Sequence, residues 1–394
     1  MRIGRRLLGV AVAVVVLAGA GWAGLVVATS RSQLARAIVW RESDVEDYRR
    51  FPARRVTAGS ERFEFRRGQV PPELRRVTVH DGDRRVERDL EQFLAASHTT
   101  AFLVVRGDTL LYEGYFNGAG RDSVQTSMSM AKSVLSALVG IAIGEGRIGS
   151  VDDPITRYVP ELLRRDRRFA RVTLRHLLTM RSGLRYDEGG GPWADDTATY
   201  YAPDLRKLAL EGTEIVEEPG LRFHYNNYNP LLVGLALERA VGMPVATYLE
   251  TRLWRPLGME ADGSWSLDSR SSRFEKMESG LNGRAVDFAR FGLLFARGGA
   301  WRGRQLVPRA WVRDPTVVPT GGAAPAAGYQ FFWWVQGDRS PPAFFALGKY
   351  GQHLYVVPAS GLVLVRFGTD VGYPDWRQLL GDLARRLDAG QQRR

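Results

Sequence analysis

The stretch Ser127-Met128-Ser129-Met130-Ala131-Lys132-Ser133-Val134, SMSMAKSV, sets a lysine three residues after a serine in a chain that hardly uses lysine. Of 55 basic residues only Lys132, Lys207, Lys276 and Lys349 are lysines. A guanidinium keeps its proton near neutral pH, whereas a desolvated amine can release it and so can take one from a hydroxyl. The run that follows, VLSALVGIAIGEG, is apolar on nearly every side and stops at Gly144 and Gly146, the pattern of a buried helix. On a helix, residues three apart share a face, so Ser129 Oγ and Lys132 Nζ converge. A serine hydroxyl needs such a base to become a nucleophile. S-x-x-K alone is a common pattern, equally readable as a capping serine and a surface lysine, so its companions decide.

Two companions stand further along. Phe223-His224-Tyr225-Asn226-Asn227-Tyr228-Asn229 precedes a helix expected from about Pro230 and offers a phenol for proton exchange and an amide that donates and accepts. An Asn-rich helix cap with aromatic packing is the alternative. Gly348-Lys349-Tyr350-Gly351-Gln352 sits between two apolar strand segments and brings another scarce lysine beside a glycine that lets a substrate approach the backbone. A hairpin end with a surface lysine reads the same. A backbone N–H at this edge, aimed at the same point as that of Ser129, would complete an oxyanion hole.

Working outward, Ala101–Val105 and Thr109–Tyr112 flank the turn Arg106-Gly107-Asp108 as a hairpin. Strand character returns at Tyr329–Val335, Ala343–Leu347, Leu354–Val357 and Leu362–Phe367, and Trp376–Leu387 is an amphipathic helix. The pattern predicts an α/β (α+β) sandwich: one antiparallel sheet built from both chain ends, flanked by helices, with an all-helical insert at about 150–280. The folded body is expected over 89–390, and residues 31–88, rich in Arg, Glu and Pro, are expected as a linker or partly ordered arm.

Residues 1–30 read as a membrane anchor or signal. Leu7 to Ala28 is uncharged, long enough to span a bilayer, and preceded by Arg2, Arg5 and Arg6, which predicts a cytoplasmic N-terminus and an extracytoplasmic domain. Cleavage near Val26-Val27-Ala28 would instead release a secreted or periplasmic protein. With 394 residues and 44% hydrophobic composition the chain can bury a large core. No cysteine is present, which excludes disulfides, thiolate zinc sites and a thiol nucleophile. The five histidines lack metal-binding spacing, Gly189-Gly190-Gly191 lacks the lysine of a phosphate loop, and no metal or cofactor is expected. The charge of +12 is spread over arginines interleaved with acids, so nucleic acid is not an expected partner. Trp193, Tyr200 and Tyr201 belong either to a pocket mouth or to the core.

Together, Ser129-Met-Ala-Lys132, Tyr225-Asn-Asn227 and Lys349-Tyr-Gly351 resemble the ordered motifs S-x-x-K, Y-x-N and K-[T/S]-G of the serine β-lactamase and penicillin-binding protein superfamily. The similarity is greatest to its β-lactamase-related hydrolases: class C-like enzymes, family VIII-type esterases and aminohexanoate-dimer hydrolases. Asp152-Asp153-Pro154, His176–Leu184 and Asp287–Gly292 add to it, over roughly Leu90 to Leu387. The resemblance implies Ser129 as acylated nucleophile, Lys132 as its base and Tyr225 as proton shuttle. It implies Asn227 as orienter of substrate and Lys132, Lys349 as a positive charge, and the N–H groups of Ser129 and Gln352, beside Gly351, as oxyanion donors. Tyr350 stands where β-lactamases carry a small hydroxyl residue, which points away from penicillins and toward small esters or amides. No class A-type deacylating glutamate is evident. A non-hydrolytic penicillin- or cell-wall-peptide-binding module on the same fold is the alternative; substrate and oligomeric state are not legible.

Overall fold

The computed structural model of the chain describes residues 19–393 apart from 22, 23, 26, 83, 190, 314–327 and 337–341. Most of the anchor-like stretch Leu7–Ala28 lies outside the described residues, and among those described no single helix is long and apolar enough to cross a membrane.

The strand Leu362–Gly368 pairs antiparallel with Thr99–Arg106, Val365 opposite Leu103, so the two ends of the chain meet in the middle of one sheet. On one side the sheet continues through Gln352–Val357, Ala343–Gly348, Trp333–Gln336 and Gly328–Gln330; on the other through Thr109–Tyr115 and a short parallel strand, Arg66–Arg67. Side chains alternate across a pleated strand, and here both faces are covered, which is why these segments read as unbroken apolar runs. Leu103, Val105, Val363 and Val365 belong to the core shared with the helices Ala131–Gly144 and Ala285–Ala296. Phe102, Val104 and Leu364 face the opposite layer, formed by Leu90–Ala96 and Trp376–Gln392. The sandwich expected from the sequence is therefore the observed architecture.

Two boundaries differ from expectation. The segment read as a linker or partly ordered arm is folded onto the body: helix Gln33–Trp40 packs on helix Asp195–Tyr201, and strand Ala53–Val56 pairs with Gly263–Ser266. Arg76–Asp81 and Arg84–Asp89 form a further hairpin, so folded structure begins well before Asp89. Phe51, Val56 and Phe63 are buried, and these few apolar anchors suffice where the surrounding arginines suggested solvent. The predominantly helical insert likewise contains a strand, Gly263–Ser266. It joins a four-stranded sheet, Ala53–Val56, Gly263–Ser266, Leu281–Gly283 and Gln125–Thr126, whose last strand leads directly into Ser127.

Arg366, on the strand that closes the main sheet, is fully buried and donates five hydrogen bonds, none to a carboxylate. Its acceptors are Thr99 Oγ1 at 3.1 Å, and the carbonyls of Tyr350 at 2.6, Gly351 at 2.9, Ser97 at 2.7 and Asp370 at 3.0 Å. The guanidinium also stacks 4.5 Å from the Trp376 ring centroid. No other side chain presents five donors in a fixed fork, so Arg366→Lys leaves buried carbonyls without partners. The variant is expected to lose about 3 kcal/mol or more of unfolding free energy, read as a lowered denaturant midpoint at unchanged slope. A midpoint equal to wild type would contradict this role.

Candidate active site

Ser129 lies on a short 3-10 turn, Met128–Met130, that runs into the helix Ala131–Gly144 rather than within the helix itself. The turn keeps the three-residue register. Met128 carries φ of +46°, unusual for a side chain of this size, and the Ser127 N–H is pinned to the Leu281 carbonyl at 2.9 Å. Gly348 lies hard against this turn: a Cβ there would collide with the Ser127 carbonyl, so glycine is what lets the third-motif strand approach the serine.

Lys132 Nζ is 2.7 Å from Ser129 Oγ and 2.8 Å from the Glu278 carbonyl, and the side chain is 1% exposed. The amine therefore has one contact that fixes it and one aimed at the hydroxyl. Tyr225 approaches through its ring, with Lys132 Nζ 5.1 Å from the centroid, and that ring stacks on Trp334. Among the described residues the Tyr225 hydroxyl makes no hydrogen bond, so the phenol is beside the pair without being joined to it. Asn227 stands at the N-cap position of the helix Tyr228–Val241 without a side-chain capping bond, and among the described residues it makes no hydrogen bond to Lys132. Its Nδ2 donates to the Tyr186 hydroxyl at 2.7 Å, and its Oδ1 is buried without a partner on the pocket wall. That oxygen can accept a bond from a substrate N–H or O–H.

Ser129, Asn227 and Lys349 line one cavity of about 530 Å³, within the range of small-molecule sites. Gly351 is brought near but not for the reason the sequence suggested. Its φ is +73°, and a Cβ would strike the Arg366 guanidinium, so the glycine accommodates a buried arginine rather than a substrate. The Gln352 side chain is engaged twice by Gly368, at 2.7 and 3.0 Å, which leaves only its backbone for the site. Tyr200 and Tyr201 line the cavity; Trp193 does not and is 82% exposed.

The sequence reading missed four contributors. Glu278 holds Lys132 through its carbonyl, while its carboxylate pairs with buried Lys276 at 2.9 Å and accepts from Ser279 Oγ at 2.9 Å. Burial pulls the Lys276 ammonium below its ordinary value, and the Glu278 charge opposes that shift. Arg41 and Ser43, from the supposed linker, line the same cavity, and Lys349 Nζ donates to Ser43 Oγ at 2.8 Å. Lysine scarcity could have pointed to Lys276. A backbone carbonyl acting as a lysine ligand leaves no residue-type signal at all.

The sequence profile of the Beta-lactamase family matches residues 86–387. The chain belongs to the beta-lactamase family. Among relatives of this beta-lactamase-family chain, the 6-aminohexanoate-dimer hydrolase of Paenarthrobacter ureafaciens is 29% identical over 332 residues, covering 76% of this chain and 82% of that protein. Esterase EstB of Burkholderia gladioli is 31% identical over 160 residues, 37% of this chain and 40% of its own length. A solved Bacillus anthracis structure with a provisional 6-aminohexanoate-dimer hydrolase name superposes with a TM-score of 0.77 at 23% identity, over 92% of this chain and 96% of that one. The last agreement establishes fold alone.

His353 lies just beyond the third motif, 4% exposed, and its Nδ1–H donates to the Gly351 carbonyl at 2.8 Å. Burial pushes its pKa from 6.5 down to about 4, the Gly351 bond opposing and the Arg366 charge assisting. The folded state therefore binds this proton less readily than the unfolded chain. The contribution is fully present above the unfolded pKa and is lost as pH falls through about 4. Between those limits wild type should lose up to roughly 3 kcal/mol relative to His353→Gln. Parallel unfolding free energies of the two proteins across that window would contradict this.

Proposed function

We propose that the chain is a serine hydrolase acting through an acyl-enzyme on a small ester or amide. The observation that carries this reading is the 2.7 Å contact between the buried Lys132 Nζ and the Oγ of Ser129, which lines a substrate-sized cavity. In this mechanism Ser129 Oγ attacks the acyl carbonyl while its proton passes to Lys132. The tetrahedral oxyanion is met by the backbone N–H groups of Ser129 and Gln352. Collapse expels the alcohol or amine, which takes a proton from Lys132 by way of Tyr225. Water then attacks the acyl-enzyme, giving its proton to the same pair, and the acid leaves as Ser129 regains its hydrogen. Lys349 supplies positive charge at the rim and Asn227 Oδ1 a hydrogen-bond acceptor. The relatives' names, a 6-aminohexanoate-dimer hydrolase and an esterase, agree with this substrate class.

We also propose that Leu7–Ala28 anchors the protein in a membrane, with the catalytic domain outside the cytoplasm; the uncharged run behind three arginines supports this. Resistance of the full chain to alkaline extraction from membranes is the expected result, and release would refute it.

Reaction with a fluorophosphonate should add one adduct, on Ser129, detectable by intact mass. Ser129→Ala should show no adduct, and Lys132→Arg should retain its fold while ester turnover falls by at least about a thousandfold. A folded wild type that takes up no label, or equal turnover after Ser129→Ala, would end the proposal.

A further inference from the structure

Glu278 is bonded to two of the chain's four lysines at once. Its backbone carbonyl accepts from Lys132 Nζ at 2.8 Å, and its carboxylate pairs with Lys276 Nζ at 2.9 Å. All three side chains are at most 2% exposed. A carboxylate removed from water demands a cation, and a lysine paired with one holds its proton more firmly. The same carboxylate on Lys132 would make that amine a poor base for the Ser129 hydroxyl.

The segment 276–281 fixes this arrangement. The Lys276 carbonyl accepts from the N–H groups of Ser279 at 3.2 Å and Gly280 at 2.8 Å, and from Trp265 Nε1 at 2.9 Å. The Leu281 carbonyl takes the Ser127 N–H, so one turn holds the approach to Ser129, the Lys132 amine and the acid. On the carboxylate, Oε1 meets Lys276 and accepts from Ser279 Oγ at 2.9 Å, whereas Oε2 is buried without a hydrogen-bond partner among the described residues.

Lys276 is boxed in turn. Its ammonium lies 4.0 Å from the Tyr200 ring centroid and 4.6 Å from that of Phe51, and it donates to the Tyr200 carbonyl. Arg36 and Asp47 act on it with opposite signs. Phe51, Arg36 and Asp47 belong to the arm, which precedes the family match at 86–387. Aromatic faces hold an ammonium without competing for its carboxylate partner as a second acid would. Around Lys132 stand Ser129 on the adjoining turn, the Tyr225 ring and the Glu278 carbonyl, with Lys349 on the same cavity. Glu42 and Asp196 also line that cavity, and neither makes an ion pair among the described residues. Of the three acids there, Glu278 is the one whose own backbone is bonded to Lys132.

We propose that Lys276 is a positioning residue that keeps the Glu278 carboxylate from pairing with Lys132, leaving the amine beside Ser129 able to accept the hydroxyl proton. The role rests on the reading of Ser129 as nucleophile and Lys132 as its base. Two lysines thus divide one glutamate: Lys132 takes its carbonyl and a fixed orientation, and Lys276 takes its charge.

The test follows kcat/KM for p-nitrophenyl butyrate across pH, using the full chain and its Lys276→Met and Lys276→Met/Glu278→Gln variants. In Lys276→Met the acidic limb should move to higher pH by about one unit or more, because the released carboxylate favours the charged form of Lys132. The double variant removes the carboxylate and keeps the backbone carbonyl, so its limb should return to the wild-type position. An unmoved limb in Lys276→Met, or one that stays displaced in the double variant, would overturn the proposal. So would a lower rate at every pH without displacement, the mark of a structural role. Should Lys276→Met fail to fold, Lys276→Gln retains a donor toward Glu278 without the charge; its limb should shift the same way, and an unmoved limb there decides against the proposal. Absence of fluorophosphonate label on wild-type Ser129 would remove the nucleophile reading and this role with it. A labelled wild type with an unmoved limb in the variant removes the role of Lys276 alone.

Discussion

One buried cation organises the edge of the cavity that carries Lys349. Arg366 extends from the strand that closes the main sheet, and its five donors reach the third motif, the start of the first long strand and the loop after its own. A guanidinium removed from water without a counter-ion is costly unless every donor is met. Here each is met by an oxygen whose position is thereby fixed. Gly351 is glycine because that fork occupies the space a side chain would fill, and the Gly351 carbonyl also accepts a hydrogen bond from His353 Nδ1–H. The backbone around Lys349 thus inherits its geometry from an arginine that is itself fully buried.

The Ser129 end of the cavity is fixed by a different device. A four-stranded sheet, drawn from the arm, the helical insert and the segment before Ser127, delivers the strained turn that carries Ser129. Close approach at Gly348 brings the two ends together, and Glu278 steers Lys132 through a backbone oxygen. Positioning by carbonyls and turns leaves Lys132 with a fixed orientation and, among the described residues, no ion pair with a carboxylate.

How far the sequence disclosed this follows from the range of each interaction. Ser129 and Lys132 are legible because three-residue spacing is a local geometric fact, and Lys349 because lysine is rare here. The sandwich is legible because strands covered on both faces must be apolar throughout. Gly351 was misread because its reason lies fifteen residues away, in Arg366. The arm was misread because Arg36 looks like a solvated residue and is instead buried among carbonyls. Composition describes what a segment contains, and burial depends on what arrives to cover it.

The pairing of the first and last long strands has a temporal consequence. Lys349 and Ser43 are 306 residues apart, and Arg366 and Ser97 are 269 apart, yet both contacts lie at the pocket or hold its edge. Loops of that size close late, because their entropy is lost before any contact can compensate. A chain emerging during synthesis carries Ser129, Lys132 and Tyr225 long before it carries Lys349 or Arg366. The cavity therefore comes into being only when the last strands dock, and an incomplete chain holds Ser129 and Lys132 without a place for anything to bind.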